Sequence, residues 1–249
     1  MAMVNKVKYI GVVSALALLL SCDRPESPDC FKKAGEESVV LRYPGEFDRI
    51  HALEYLEISI VQDSICFVEV SGGKNLLEKV RSDVEAGVLI LENRNTCDMV
   101  RNFERKPRVR VHLKQLKELQ LFAGAGDIRS EGVLNCDGLF VECNHGNGDV
   151  DLSLNAEKAV FQFHTGSCDL KLNGTCQRLE LYNQGYGYVD ARNLLSLSTG
   201  ANNSSVNEMV LYAQDYLFAS INSKGNIVCY GQPDGLDVVR KGTGELILK

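Results

Sequence analysis

The chain reads as an all-β protein, a parallel β-solenoid with coils of about twenty residues behind a more irregular N-terminal β region. A glycine-rich motif recurs through the second half. It runs Gly124-Ala125-Gly126-Asp127-Ile128, Gly146-Asn147-Gly148-Asp149-Val150, Gly166-Ser167-Cys168-Asp169-Leu170 and Gly185-Tyr186-Gly187-Tyr188-Val189. Fainter copies follow at Ser205-Val206, Gly225-Asn226-Ile227 and Gly244-Glu245-Leu246. The closing aliphatic residues, Ile128, Val150, Leu170, Val189, Val206, Ile227 and Leu246, step by 22, 20, 19, 17, 21 and 19. A near-constant step of this size marks stacked supersecondary units. After each motif, apolar and polar residues alternate as they do on strands.

Physical chemistry turns the period into geometry. About twenty extended residues at ~3.3 Å each close one narrow circuit, and successive circuits lie ~4.8 Å apart on parallel ladders. Glycine belongs at the corners, where φ turns positive or no room is left for a Cβ. The closing aliphatics then form one inward column. Two residues on, Ser130, Leu152, Leu172, Ala191, Cys229 and Leu248 form a second, broken by Glu208. Between them Arg129, Asp151, Lys171 and Asp190 face outward with alternating sign, as in a charge ladder across neighbouring coils.

Ahead of the repeats, Val39–Tyr43, Leu56–Ile60, Cys66–Val70 and Val109–Leu113 read as strands. Val84–Leu91 reads as a turn into a strand, and Asn75–Val80 as one helical turn. Leu116, Leu119 and Leu121 lead into the first glycine corner.

Residues 1–21 read as a secretion signal. Lys6 and Lys8 precede an apolar run, Ile10–Leu20, too short to span a bilayer. The run ends in Leu19-Leu20-Ser21-Cys22, which resembles the bacterial lipobox and implies lipidation of Cys22. Residues 22–37 then form a flexible acidic tether, and 38–249 a single β-solenoid domain. The expected location is the outer membrane, facing the periplasm or the exterior. Past the signal, 25 basic residues stand against 33 acidic ones, a net charge of −8. That excludes nucleic acid as a partner and a basic patch for anionic lipid.

Eight cysteines besides Cys22 remain. Export permits disulfides, with Cys136–Cys176 and Cys66–Cys97 as possible bridges, but stacked positions such as Cys143 and Cys229 suit buried free thiols. No Cys-x-x-Cys occurs, so no zinc knuckle is indicated.

The order of motifs carries a resemblance. Val68-Glu69-Val70-Ser71-Gly72 is followed by Asn75-Leu76-Leu77, Gly87-Val88-Leu89-Ile90, Val109–Leu113, Leu116-Lys117-Glu118-Leu119 and Gly124–Ile128. In this order they resemble the putative autotransporter adhesin, head GIN domain family, common in lipoproteins of Bacteroidetes. The resemblance spans about residues 38–249. It implies a right-handed parallel β-helix and a role in adhesion. The chain departs at Tyr188, where the family has Asp, and in its cysteine load.

Candidate chemistry is sparse. Asp127, Asp149 and Asp169 form an outward acidic column that could offer oxygen ligands to Ca²⁺, but each Asp more simply bonds the backbone of its own turn. His145 and His164 fall at unmatched offsets from their corners, which argues against a metal pair. His51 and His112 read as surface or satisfied. Tyr186 and Tyr188 sit at a corner and should be partly exposed. These five residues, Tyr186, Tyr188, Asp127, Asp149 and Asp169, are the candidate binding surface. No nucleophile elbow, phosphate loop or cofactor motif is present. The expected function is a lipid-anchored, non-catalytic adhesin or scaffold, with the membrane and an envelope glycan or protein as partners. The alternative is a carbohydrate-active β-helix enzyme, which needs clustered acids in a groove.

Overall fold

The computed structural model describes residues 33–96 and 106–249. The signal segment, Cys22, the tether up to residue 32, Cys30 and Cys97, and with it the Cys66–Cys97 pairing, lie outside these residues.

The chain forms a β-solenoid of about 7 turns. Its N-terminal part holds β1 (Glu37–Arg42), β2 (Arg49–Leu53), β3 (Glu57–Gln62), β4 (Phe67–Gly73), the short helix α1 (Lys74–Leu77), β5 (Val80–Glu85), β6 (Val88–Asn93), β7 (Arg108–Leu113) and β8 (Glu118–Leu121). Four long strands follow, β9 (Ile128–Gly146), β10 (Val150–Gly166), β11 (Leu170–Asn183) and β12 (Val189–Asn203). Each bends around the circuit. The last coils are split into β13 (Met209–Tyr212), β14 (Tyr216–Ile221), β15 (Ile227–Tyr230), β16 (Gly235–Arg240) and β17 (Leu246–Leu248).

Two long walls result. One runs β1-β4-β7-β3, then the starts of β9 to β12, then β13, β15 and β17. The other runs β5-β6-β2-β8, then the ends of β9 to β12, then β14 and β16. A short third side joins them at Leu134–Cys136, Leu154–Ala156, Gly174–Cys176 and Leu194–Ser196.

The coils do not stack in chain order at the N-terminal end. β2 lies between β6 and β8, and β3 between β7 and β9. After β1 at the outer edge, the chain enters the stack at β2 and β3, goes back to build its end with β4 to β7, and returns at β8. That end is closed by antiparallel pairs, β1 with β4, β4 with β7, and β5 with β6. The β5–β6 turn is Ala86-Gly87, both at positive φ, the geometry a two-residue hairpin requires. Arg42 crosses the end, bonding the Val80 carbonyl, the Ser82 hydroxyl at 2.9 Å and the Leu77 carbonyl at 2.7 Å.

The interior is a set of side-chain columns. Leu89, Ile50, Leu119, Val141, Phe161, Leu181, Ala201 and Ala219 lie in register along the second wall, all essentially buried. Side chains shrink from Phe161 to Ala201 and Ala219, and the circuit narrows with them. The third side, five residues long from Asn193 to Leu197, is cut to Ala213–Asp215 in the next coil.

The first wall corrects the expected frame. Its column is Ile58, Ile128, Val150, Leu170, Val189, Met209, Ile227 and Leu246. Met209 takes the place expected for Val206, which is 53% exposed. A buried asparagine builds the turn between the coils. Asn203 donates to the Asn207 and Asn226 carbonyls, and its Oδ1 accepts from the Ser205 amide. Asn183 makes the same bonds one coil earlier and stands as far before Val189 as Asn203 does before Met209, so the turn keeps its length and the column continues at its regular step. Glu208 consequently faces out, and Leu211 fills the second column. Leu152, Leu172, Ala191 and Cys229 occupy that column as expected. Ser130 is only half-buried, because β9 bulges opposite Asp151/Ser153, and Leu248 is exposed because β17 is paired only with β15.

Cys66, Cys136, Cys143, Cys168, Cys176 and Cys229 are buried free thiols. The Cys136–Cys176 bridge is ruled out by register. Ala156 stands between the two on the ladder, placing them about 9–10 Å apart, beyond disulfide reach.

Candidate functional site

The corner before the first wall is built by close backbone approach. A Cβ on Gly148 would lie 2.1 Å from the Gly126 carbonyl oxygen, and one on Gly187 would lie 1.8 Å from that of Cys168. Glycine is needed here for space between coils.

One residue after these glycines comes the acidic column. Glu57, Asp127, Asp149, Asp169, Tyr188, Glu208, Asn226 and Glu245 precede the first-wall residues of successive coils. The carboxylates do not bond their own turns, as expected, but the next coil. Asp127 Oδ1 accepts the Asp149 amide at 3.1 Å, Asp149 Oδ1 the Asp169 amide at 3.2 Å, and Asp169 Oδ1 the Tyr188 amide at 2.7 Å. The regular ladder leaves these amides without strand partners, and a short acceptor one coil away supplies them. Burial raises the Asp149 carboxyl above its ordinary value. The charges of Asp169 and Asp127 add to this, and the bond from the Asp169 amide opposes it.

Tyr186 and Tyr188 project from this corner, 69% and 57% exposed. Their backbone is tied on every side. The Tyr186 amide donates to the Gly166 carbonyl at 2.7 Å, and Asn207 Nδ2 donates to the Tyr186 carbonyl. Buried Asn183 donates to the Gly187 carbonyl at 3.0 Å, and its Oδ1 accepts the Gly185 amide at 3.1 Å. The structure thus brings all five candidate residues to one edge of the solenoid, with the two rings outward from a pinned turn.

The charge ladder stacks as expected, Arg129 against Asp151 against Lys171 against Asp190. Only one rung is an ion pair, Lys171 Nζ to Asp151 Oδ2 at 3.3 Å. Arg129 instead donates to Ser59 Oγ at 3.2 Å, and Asp190 pairs with Arg192 at 2.8 Å. His164 bonds Glu142 one coil back at 3.0 Å, and His51 bonds Glu118 at 3.2 Å. His112 is not on the surface. It is buried, stacked on Phe67 with Nδ1 3.0 Å from Asp63, while its Nε2 lacks a hydrogen-bond partner.

Sequence reasoning passed over a shallow depression of about 520 Å³ on the short third side. Asn135, Asn155 and Thr175 ladder along it, with Asn155 Nδ2 donating to Asn135 Oδ1 and Thr175 Oγ1 to Asn155 Oδ1, each at 3.0 Å. Exposed Leu195 and Leu197 close it where the circuit narrows. The twenty-residue spacing of Asn135, Asn155 and Thr175 was the available signal.

The family model described as "Putative auto-transporter adhesin, head GIN domain" matches residues 46–233. The chain belongs to this family. A solved "putative adhesin" from Bacteroides fragilis is 25% identical, with a TM-score of 0.78 over 86% of this chain and 97% of that one. A "putative adhesin" from Parabacteroides merdae is 20% identical, with a TM-score of 0.57, covering 86% of this chain and 98% of that one. A "putative lipid binding protein" from Parabacteroides distasonis is 17% identical, with the same TM-score, covering 86% and 97%. The last two share the fold. No curated protein matches the chain. Membership of this adhesin-like family fits a protein of the cell envelope or surface.

Proposed function

We propose that this family member is a non-catalytic binding module of the adhesin type, lipid-anchored through Cys22 in the outer membrane and facing the periplasm or the exterior. One observation carries the reading. The most exposed aromatic rings of the repeat region, Tyr186 and Tyr188, stand on a backbone pinned from both neighbouring coils. A rigid scaffold with free side chains suits binding, because little order is lost when a ligand docks. The family and the 25% identical Bacteroides fragilis neighbour support adhesion as the class. Asp127, Asp149 and Asp169 each give one carboxylate oxygen to a backbone amide of the next coil, a structural role that favours binding over catalysis.

Two measurements test this. Full-length protein should capture a saturable component from a bacterial envelope fraction and release no reducing ends from envelope polysaccharide. Release that disappears in Asp149→Asn would establish an enzyme instead. Labelled fatty acid should enter the wild-type chain and not Cys22→Ala; equal labelling of both would remove the anchor.

A further inference from the structure

We infer that the Tyr186–Tyr188 corner is a binding site for an uncharged carbohydrate chain. This deepens the binding-module reading and rests on it. Tyr186 and Tyr188 flank Gly187 on the bend that precedes β12, so both rings leave the same turn. Neither ring belongs to an aromatic pair or cation–π contact among the described residues, and no hydroxyl bond is seen for either. Exposed rings of this kind present an apolar face and a polar tip, which match the C–H face and hydroxyls of a sugar ring.

The surroundings select the ligand class. Beside Tyr188 in its column stand Asp169 on one coil and Glu208 on the next. Beside Tyr186, at the matching place before each first-wall residue, stand Ser167 and Val206. Asp169 uses Oδ1 on the Tyr188 amide and keeps Oδ2 for a ligand. Carboxylate, hydroxyl and amide groups at a ring edge accept and donate to vicinal hydroxyls. No Lys or Arg occupies either column from Asn147 to Glu208. Lys171 pairs with Asp151 and Arg192 with Asp190, while Lys224 continues the Tyr186 column one coil beyond Val206. An anionic glycan, a phosphate headgroup or a nucleic acid would meet Asp169 and Glu208 on either side of Tyr188 and be disfavoured there. An uncharged saccharide meets stacking surface and hydroxyl partners without that penalty. Because the turn is held by bonds from both coils, binding needs only the rings to settle.

The test uses full-length protein in detergent against neutral glucan, mannan, galactan and xylan hexasaccharides, with oligogalacturonate of equal length as the anionic probe. At least one neutral chain should bind and oligogalacturonate should not. Tyr186→Ala and Tyr188→Ala should each weaken binding about tenfold, while Tyr→Phe at either site retains most of it. Thermal midpoints should be unchanged, since both rings are exposed. The proposal fails if no neutral chain binds, if oligogalacturonate binds as well as they do, or if the alanine variants bind at wild-type strength. Capture from the envelope fraction separates the two levels. Capture that survives both alanine changes leaves the binding module standing and removes this corner. Capture that depends on the tyrosines but resists glycosidase treatment and yields to protease assigns the corner to a protein partner and overturns the carbohydrate. Absence of any capture removes the parent reading.

Discussion

Gly148→Ala probes the spacing on which the whole stack depends. The new Cβ would sit 2.1 Å from the Gly126 carbonyl oxygen and 2.2 Å from its carbon. Relief requires the two coils to part by about 1 Å or more, toward ordinary contact near ~3.5 Å. The bonds that resist are the Ile128 amide to the Asp149 carbonyl at 2.8 Å and the Asp149 amide to Asp127 Oδ1 at 3.1 Å. Losing both is worth about 2 kcal/mol, and overpacking adds about 1–3 kcal/mol. The expected loss is therefore about 3–5 kcal/mol, a fall of roughly 1–2 M in the urea midpoint at the m-values of such domains. Gly138→Ala is the control. It lies within β9, has no atom within 4 Å of the added Cβ and does not need positive φ. It should be neutral or gain about 0.4–1 kcal/mol. Equal midpoints for the two variants, followed by circular dichroism, would refute the close-approach account of the corner glycines.

Three further outcomes are expected. Met209→Asp should destabilise by about 4 kcal/mol or more by burying an unpaired charge, while Val206→Asp should stay within about 0.5 kcal/mol; equal melting temperatures would restore the frame with Val206 inside. Lys171→Glu should lose about 0.5–1 kcal/mol, more than Lys171→Gln, and the difference should shrink in high salt; a loss unaffected by salt would mean the ladder charges do not interact. Asp149 has a raised carboxyl pKa, so its proton favours the fold below the unfolded-state value and that help is gone once pH rises past the folded one. Asp149→Asn keeps the acceptor for the Asp169 amide and removes the charge, so it should gain up to about 0.5 kcal/mol at pH 7, vanishing in the acid range; destabilisation at pH 7 would contradict this.

Much of the fold was legible because its requirements are local. At Gly126, Gly148 and Gly187 a Cβ would meet the backbone of the coil below, so glycine marks these corners even though Cys168 fills the same place in one coil, and inward aliphatics follow at fixed offsets. What failed was also physical. The coil from Asn203 has Asn207 where its neighbours have Gly187 and Gly225, so Ser205-Val206 offers a false match, while the Asn203 turn, built like that of Asn183, carries the column at its regular step to Met209. The closed N-terminal end depends on pairings between distant segments, Glu37–Arg42 with Val68–Gly73, and on one arginine reaching across the mouth, neither of which leaves a periodic trace. At the site, the tyrosines were readable from their place at a corner. The bonding of Asp127, Asp149 and Asp169 to the next coil was not, because the same residues serve equally well in isolated turns.

Amide hydrogen exchange across residues 183–189 tests the central claim, that a rigid backbone presents free rings. The Tyr186 and Tyr188 amides donate to Gly166 and Asp169 in the coil below. They should therefore exchange about as slowly as amides within β10 and β11, despite the exposure of their side chains. Exchange at the rate of an unstructured loop would contradict it.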